Sequence, residues 1–246
     1  MKITFLGTAD GIPRPGHFCT STMIEVGENV YLIDAGAPVI NLMLDHGKHP
    51  NNLKAFFNTH GHTDHLDGIL SLVTLCSWAY KDASFDMLLP DACVGEGIAA
   101  YLETVTGTPF PSDRLRRSTF TEGVIYDDGV LKVTAFPTRH CEPKHSYAFL
   151  LEAEGKRALF SGDLSQFLQK GDFPAMLDKE EVDLFVCEMA HFGEEHIAPY
   201  LEVCRAKRVM FNHYQPRKES HIESLSVPGR FPFPVSAAQD GEVVEL

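Results

Sequence analysis

The chain's capacity for chemistry is concentrated in His60-Gly61-His62-Thr63-Asp64-His65, where three imidazoles and one carboxylate fall within six positions. Neutral imidazole nitrogen and carboxylate oxygen are the donors that borderline divalent metals such as zinc select. In an extended segment, side chains two residues apart point the same way, so His60 and His62 can grip one ion together. Asp64 and His65 follow where an apolar helical pattern opens, and can face a second ion. The alternative is a polar loop that happens to be His-rich, and the flanks argue against it. Ala55-Phe56-Phe57 reads as a buried strand entering the cluster, and Leu66, Ile69, Leu70 and Val73 recur at helical spacing after it. A strand, a ligand-bearing turn and a helix form a rigid platform for a site.

Further polar residues stand just past apolar, strand-like runs. Tyr31-Leu32-Ile33 leads to Asp34, and Leu131–Phe136 leads through Pro137-Thr138-Arg139 to His140. Ala158-Leu159-Phe160 leads through Ser161-Gly162 to Asp163, and Val209-Met210-Phe211 leads through Asn212 to His213. Strands fix position and the loops beyond them carry chemistry, so these residues can gather at one sheet edge.

The elements that must position them follow from periodicity. Strands are expected at Ile3–Leu6, Ser21–Val26 and Val30–Ile33, with Gly27-Glu28-Asn29 as a hairpin turn. A helix is expected over Val39–Asp45, another from the metal cluster to about Tyr80, a strand at Phe85–Leu89 and a helix over Cys93–Thr106. The second half offers strands at Val124–Tyr126, Leu131–Phe136, Tyr147–Glu152, Ala158–Phe160, Leu184–Val186 and Val209–Phe211. It adds a helix from about Ile197 to Arg205 and a closing strand within Gly241–Glu245. Pro216–Pro234, rich in Pro, Ser and charge, reads as a long surface loop. Hairpins mixed with helices imply two packed sheets with helices outside, rather than a doubly wound parallel sheet.

Composition bounds the function. With 246 residues, 44% hydrophobic and 22% charged, the chain suits one soluble α/β domain over 1–246. No apolar run reaches transmembrane length, and Met1–Gly7 reads as a first strand without a secretory signal, so the expected location is the cytoplasm. Six scattered cysteines without a C-x-x-C pair are expected to stay reduced. Cys141, beside His140, either lines the site or packs as a small residue. A formal charge of −13 works against polyanionic partners, and Arg114, Arg116 and Arg117 or Arg205, Lys207 and Arg208 are thin basic clusters.

The ordered set His60-x-His62-x-Asp64-His65, His140, Ser161-Gly162-Asp163 and His213 resembles the metallo-β-lactamase-fold hydrolases. Phe5-Leu6-Gly7-Thr8 and Leu32-Ile33-Asp34-Ala35-Gly36 resemble that superfamily too, especially its ribonuclease Z and phosphodiesterase branch. The resemblance implies an αββα sandwich of two mixed β-sheets flanked by helices, with a dinuclear site at one edge. By it, His60, His62 and His140 hold one divalent metal ion, Asp64, His65 and His213 hold the other, and Asp163 bridges. A carboxylate suits that role, since it can supply an oxygen to each of two ions about 3.5–4 Å apart. Zinc is the expected metal, with manganese and iron also compatible. Asp34 either accepts a hydrogen bond from a ligand imidazole or is a solvated turn residue. Asp64, Glu188 and His196 are the catalytic candidates. The run Cys187-Glu188-Met189-Ala190-His191 and then His196 resembles a segment that contributes a Glu–His pair; His191 can take the His role instead, and His196 can simply cap a helix.

The implied reaction is hydrolysis by metal-activated water, on a small anionic phosphodiester or cyclic nucleotide first. A thioester, lactone or carboxylic ester hydrolase is the rival reading, and a non-catalytic metal-binding accessory or sensor protein is the rival from another class. Ribonuclease Z enzymes that grip transfer RNA carry a long arm between the positions of His140 and Asp163. Only Cys141 to Gly162 lies between them here, which makes transfer RNA an unexpected partner. No membrane partner is expected. The helix from Leu66 to Tyr80, with Trp78 near its end, offers a surface for a homodimer.

Overall fold

Alternate side chains of the early strands enter two different apolar environments, and that alternation builds the fold. Ile3 and Phe5 of β1 (Lys2–Gly7), Ile24 of β2 (Ser21–Val26), Tyr31 and Ile33 of β3 (Asn29–Ile33), and Ala55 and Phe57 of β4 (Leu53–Phe57) enter one buried cluster. Leu6, Met23, Val30, Leu32 and Phe56 enter another. Side chains alternate faces along a strand, so a sheet apolar on both faces must be covered twice.

The computed structural model describes residues 1–246. After β5 (Phe85–Leu89) and β6 (Leu115–Thr119), a second sheet forms from β7 (Gly123–Asp127), β8 (Lys132–Thr138), β9 (Ser146–Ala153), β10 (Lys156–Phe160), β11 (Leu184–Glu188), β12 (Val209–Asn212) and β13 (Val235–Ala237). The closing strand β14 (Val243–Glu245) returns to pair with β1. The sheet orders are β14-β1-β2-β3-β4-β5-β6 and β13-β12-β11-β10-β9-β8-β7. Both are mixed: β1 to β3 and β7 to β10 pair antiparallel, whereas β3 to β6 and β10 to β13 run parallel.

Helices α1 (Val39–Asp45), α2 (Asp67–Trp78) and α3 (Ala92–Thr106) cover the first sheet; α4 (Glu194–Leu201) and α5 (Glu219–Leu225) cover the second. Three buried clusters of 24, 23 and 23 residues lie between the sheets and under each helical layer, which makes four layers, αββα. No helix is long and apolar enough to cross a membrane.

The structure departs from the sequence reading in five places, one of them the short unexpected strand β13. Pro216–Pro234 is not a structureless loop: it holds a 3-10 turn, Pro216–Lys218, and α5, whose Ile222 and Leu225 bury on one side. Strand β6 escaped notice because it is an edge strand with only Leu115 buried, so it carries no apolar run. Asp64 and His65 lie in a separate 3-10 turn, Thr63–His65, ahead of α2 rather than on it. Helix α4 starts at Glu194 and stops at Leu201, earlier at both ends than expected.

Glu25 shows how the first sheet tolerates a buried charge. It is 7% exposed on β2, within 2.7 Å of Lys2 Nζ and also paired with Lys48. Burial alone would raise its carboxyl; the two ammonium groups more than offset that and hold it below its ordinary value of 4.5. A folded pKa below the unfolded one gives stability that is complete above the unfolded value and lost as pH falls through the folded value. The difference in urea midpoint between wild type and Glu25→Gln is therefore expected to be constant near neutrality and to shrink below about pH 4.5. A difference that stays flat through acid would contradict the ion-pair account.

Candidate metal centre

The His-rich segment leaves β4 through bends at Thr59 and Gly61 rather than in the extended form its spacing suggested, and His62, at φ −70° and ψ 150°, still meets His60. Their Nε2 and Nδ1 atoms stand 3.0 Å apart, and His140 Nε2, just past β8, lies 3.3 Å from the same His62 nitrogen. The turn that follows is locked to the loop after β3: Ala35 N donates to the His65 carbonyl at 2.8 Å, and Gly68 N to the Ala35 carbonyl at 2.6 Å. Gly36 is required there, because a Cβ would strike the Asp64 carbonyl. In this turn Asp64 Oδ2 and His65 Nε2 each come within 3.2 Å of His213 Nε2, which follows β12.

Asp163 follows β10, where Gly162 adopts φ 55° and its Cα faces the Tyr147 carbonyl too closely for a side chain. Its two oxygens part company. Oδ2 lies 3.5 Å from His140 Nε2 and 3.7 Å from His60 Nε2; Oδ1 lies 3.4 Å from His65 Nε2 and 3.6 Å from His213 Nδ1. The donor atoms of His60, His62 and His140, with Cys141 Sγ, all lie within 4.8 Å of one another, as do those of Asp64, His65 and His213.

These residues fit a pair of cations. Asp163 Oδ1 and His213 Nδ1 are buried without a hydrogen-bond partner, a cost that a coordinated cation removes. The imidazoles are set with one nitrogen inward. His65 Nδ1 donates to Asp34 Oδ2 at 2.8 Å; His60 Nδ1 donates to Thr59 Oγ1 at 3.0 Å, which donates onward to Asp34 Oδ2 at 2.7 Å. Each ring thereby keeps Nε2 free. Burial and neighbouring imidazoles hold His60 well below its ordinary value, so its lone pair is available. Burial would raise Asp163, but His213, His65 and His60 hold its carboxyl well below the usual range. Burial opposes charge on His65, yet Asp163 and Asp34 raise it: the carboxylates here draw positive charge inward.

Asp34 is not a solvated turn residue. It is buried and also accepts from Thr59 N at 2.8 Å and Asn58 Nδ2 at 3.0 Å. Glu188, at the end of β11, is buried and pairs with His191 rather than His196: His191 Nδ1 donates to its carboxylate at 2.9 Å. The loop after β11 turns back on itself, so His191 N and Ala190 N reach Glu188 Oε2, and Leu164 N reaches Oε1 at 2.7 Å. Burial works against charge on His191, and Glu188 overcomes it, pushing the ring up to about 9. His196, on α4, accepts from Gly193 N at 3.3 Å and stacks on Phe167 instead.

A cavity of about 620 Å³ opens over the centre, with Asp64, His140, Asp163, His191 and His213 in its wall. Arg217 lines it, while His17 and Tyr214 line a different hollow and Tyr80 packs against His49. Gln166, Phe167, Lys218 and His221 also reach the cavity, and nothing in their type or spacing announces it. Their placement depends on where the loops after β10 and β12 fold.

An αββα sandwich with this His/Asp cluster at its edge is a metallo-β-lactamase-fold protein. Within that class, the chain belongs to the family described as Anti-Pycsar protein Apyc1, which matches residues 1–227. It is similar to ribonuclease BN of Cronobacter sakazakii, 29% identical over 201 residues, and covers 63% of that protein with 74% of its own length. The chain thus spans under two thirds of that relative. Among solved structures, the metallo-β-lactamase fold protein YhfI from Bacillus subtilis superposes with a TM-score of 0.77 at 18% identity over 99% of each chain. The short form of human tRNase Z gives 0.75 at 19% identity over 100% of this chain and 99% of that one. Zn²⁺-bound PqqB from Methylobacterium extorquens gives 0.74 at 16% identity over the whole of both. At these identities the structural likenesses establish the fold.

Proposed function

We propose that the protein is a metal-dependent hydrolase that uses two divalent cations on a small anionic ester, a phosphodiester or cyclic nucleotide. The carrying observation is the division of Asp163, whose two oxygens face separate donor groups sharing one open cavity. His60, His62 and His140 would hold one cation and Asp64, His65 and His213 the other, with Asp163 reaching both. The nitrogen-rich donor set favours zinc, and a zinc-bound protein stands among its structural neighbours. Such a pair supplies Lewis acidity, which lowers the pKa of water and neutralises charge on ester oxygens.

The rest falls to side chains. Arg217 and Lys218 bring positive charge to the cavity and suit an anionic diester. Glu188 fixes His191 through Nδ1, leaving Nε2 to give a proton to the departing alkoxide. His191→Ala is expected to lower kcat by about 10²–10⁴-fold near neutral pH with metal content unchanged. Steady-state kinetics beside elemental analysis checks this, and a kcat within twofold of wild type would remove His191 from the reaction.

A small substrate is favoured over transfer RNA for two reasons. The net charge is −13, and the stretch between His140 and Asp163 is a loop and the β9–β10 hairpin, closed at Glu154-Gly155 without a protruding arm. Bis(p-nitrophenyl) phosphate tests the reading: turnover that chelation abolishes and added zinc or manganese restores supports it. Hydrolysis of thioesters or lactones with none of the diester, at full metal loading, would overturn it.

A further inference from the structure

The loop that follows β8 brings a sulfur to the histidine-rich end of the metal centre. Of the six cysteines, Cys19, Cys76, Cys187 and Cys204 are buried and Cys93 is exposed on α3; Cys141 alone shares a cluster with imidazole donors. Its Sγ stands 3.8 Å from His62 Nε2, and one donor atom each of His60, His62, His140 and Cys141 lies within 4.8 Å of the other three. The loop fixes it there. Lys144 N donates to the Cys141 carbonyl at 2.7 Å, closing a tight turn, and Cys141 N donates to Ser146 Oγ at 3.4 Å. Thr138 Oγ1, at the end of β8, donates to the Asp163 carbonyl at 2.9 Å and ties the base of the same loop to Asp163. Cys141 is half-buried and belongs to none of the three apolar clusters, so core packing does not account for its place.

The two ends of the centre therefore differ in donor chemistry. One offers three imidazoles and a sulfur. The other offers two imidazoles, His65 and His213, with the carboxylates of Asp64 and Asp163 beside them. Sulfur and imidazole favour zinc or cobalt, whereas carboxylate oxygen suits manganese.

We propose, resting on the two-cation reading above, that Cys141 is a further donor to the cation held by His60, His62 and His140, and that it makes the two metal positions unequal. That position selects a thiophilic ion, while the Asp64, His65 and His213 position accepts a harder one. The sulfur coordinates as thiolate, and its proton passes to solvent.

Cobalt(II) titration of the full chain after chelation tests this without reference to turnover. A thiolate donor gives cobalt a near-ultraviolet charge-transfer absorption that imidazole and carboxylate do not, while the visible ligand-field bands report cobalt whatever its donors. In wild type the charge-transfer band is expected to be complete at one equivalent of cobalt, with the ligand-field bands growing to two. Wild type holding excess manganese is expected to develop the same band with a single equivalent of cobalt. Cys141→Ser and Cys141→Ala are expected to lose the band and keep the ligand-field bands, which also shows that the site is intact. Cys93→Ser, which removes the exposed thiol, is expected to retain it. Zinc affinity at the first-filled position of Cys141→Ser is expected to fall by at least the ~10-fold that loss of a ligand's outer partner typically costs, with manganese affinity unchanged. Two equivalents of cobalt bound without the charge-transfer band, or a band that survives in Cys141→Ser, would overturn the sulfur donor and leave the two-cation reading standing. A band growing evenly through two equivalents would overturn the selectivity. Saturation at one equivalent would remove the second position, and both readings with it.

Discussion

Asp163→Ala is expected to bind no more than one equivalent of divalent metal where two are expected for the wild type, and to lose hydrolytic activity on the order of 10³-fold or more. Its two oxygens stand 3.4 to 3.7 Å from imidazole nitrogens of both donor groups, so one carboxylate can serve both. Removing it also takes away negative charge that offsets the mutual repulsion of two cations held close together. A second metal contributes several kcal/mol of charge stabilisation in a reaction of this class, and each 1.4 kcal/mol is tenfold in rate. Asp163→Asn keeps the volume but supplies one neutral oxygen, so one ion is expected to remain weakly bound. Elemental analysis and zinc titration read the stoichiometry. Two full equivalents in Asp163→Ala would end the bridging assignment, whatever the activity.

Asp34→Ala is expected to be the most destabilising single change near the site, lowering folding free energy by about 3–5 kcal/mol and metal affinity by about 10–100-fold. One buried carboxylate accepts from Thr59 N, Thr59 Oγ1, Asn58 Nδ2 and His65 Nδ1, at 2.7 to 3.0 Å. Its removal strands those donors in the interior, and a buried unpaired donor costs about 1–3 kcal/mol. It also frees the His65 ring to rotate, so Nε2 no longer points reliably at the centre. The backbone at Asp34 has φ 56°, a region alanine resists and asparagine tolerates. Asp34→Asn is therefore expected to recover part of the stability, while its amide turns a donor toward a neighbour that also donates. Urea unfolding with and without zinc separates the two effects. A loss under about 1 kcal/mol with unchanged zinc affinity would show that the hydrogen bonds here are replaceable.

Much of this site is legible in the chain because the informative features are local. His60 and His62 meet because a single residue separates them, a short-range contact made across a bend at Gly61 rather than along an extended strand. The apolar runs before Asp34, His140, Asp163 and His213 mark strands for the same reason, and each strand appears within a residue or two of its expected place. The αββα arrangement follows from strands apolar on both faces, which two helical layers must cover.

Other features were decided only when distant segments met. Glu188 has His191 three residues away and His196 eight residues away, and both spacings are permissible on paper; the backward turn at Met189–Ala190, held by amides on Glu188 itself, chooses His191. Strand β6 shows almost no apolar pattern and exists because β5 offers it a parallel edge. Arg217 and Lys218 reach the cavity because α5 forms where composition suggested open loop, and Phe167 does so because Asp172, His191 and a buried Leu168 hold an unfavourable backbone in place. Residue type and spacing along the strands therefore marked the candidate donors and the layer order, since those depend on short-range backbone geometry, while the grouping of the donors was implied by the family resemblance. The pairing of acids with bases, the cationic rim and the aromatic wall belong to the tertiary structure, because each depends on which of several sterically allowed loop paths buries the most apolar surface while leaving the fewest polar groups unpaired.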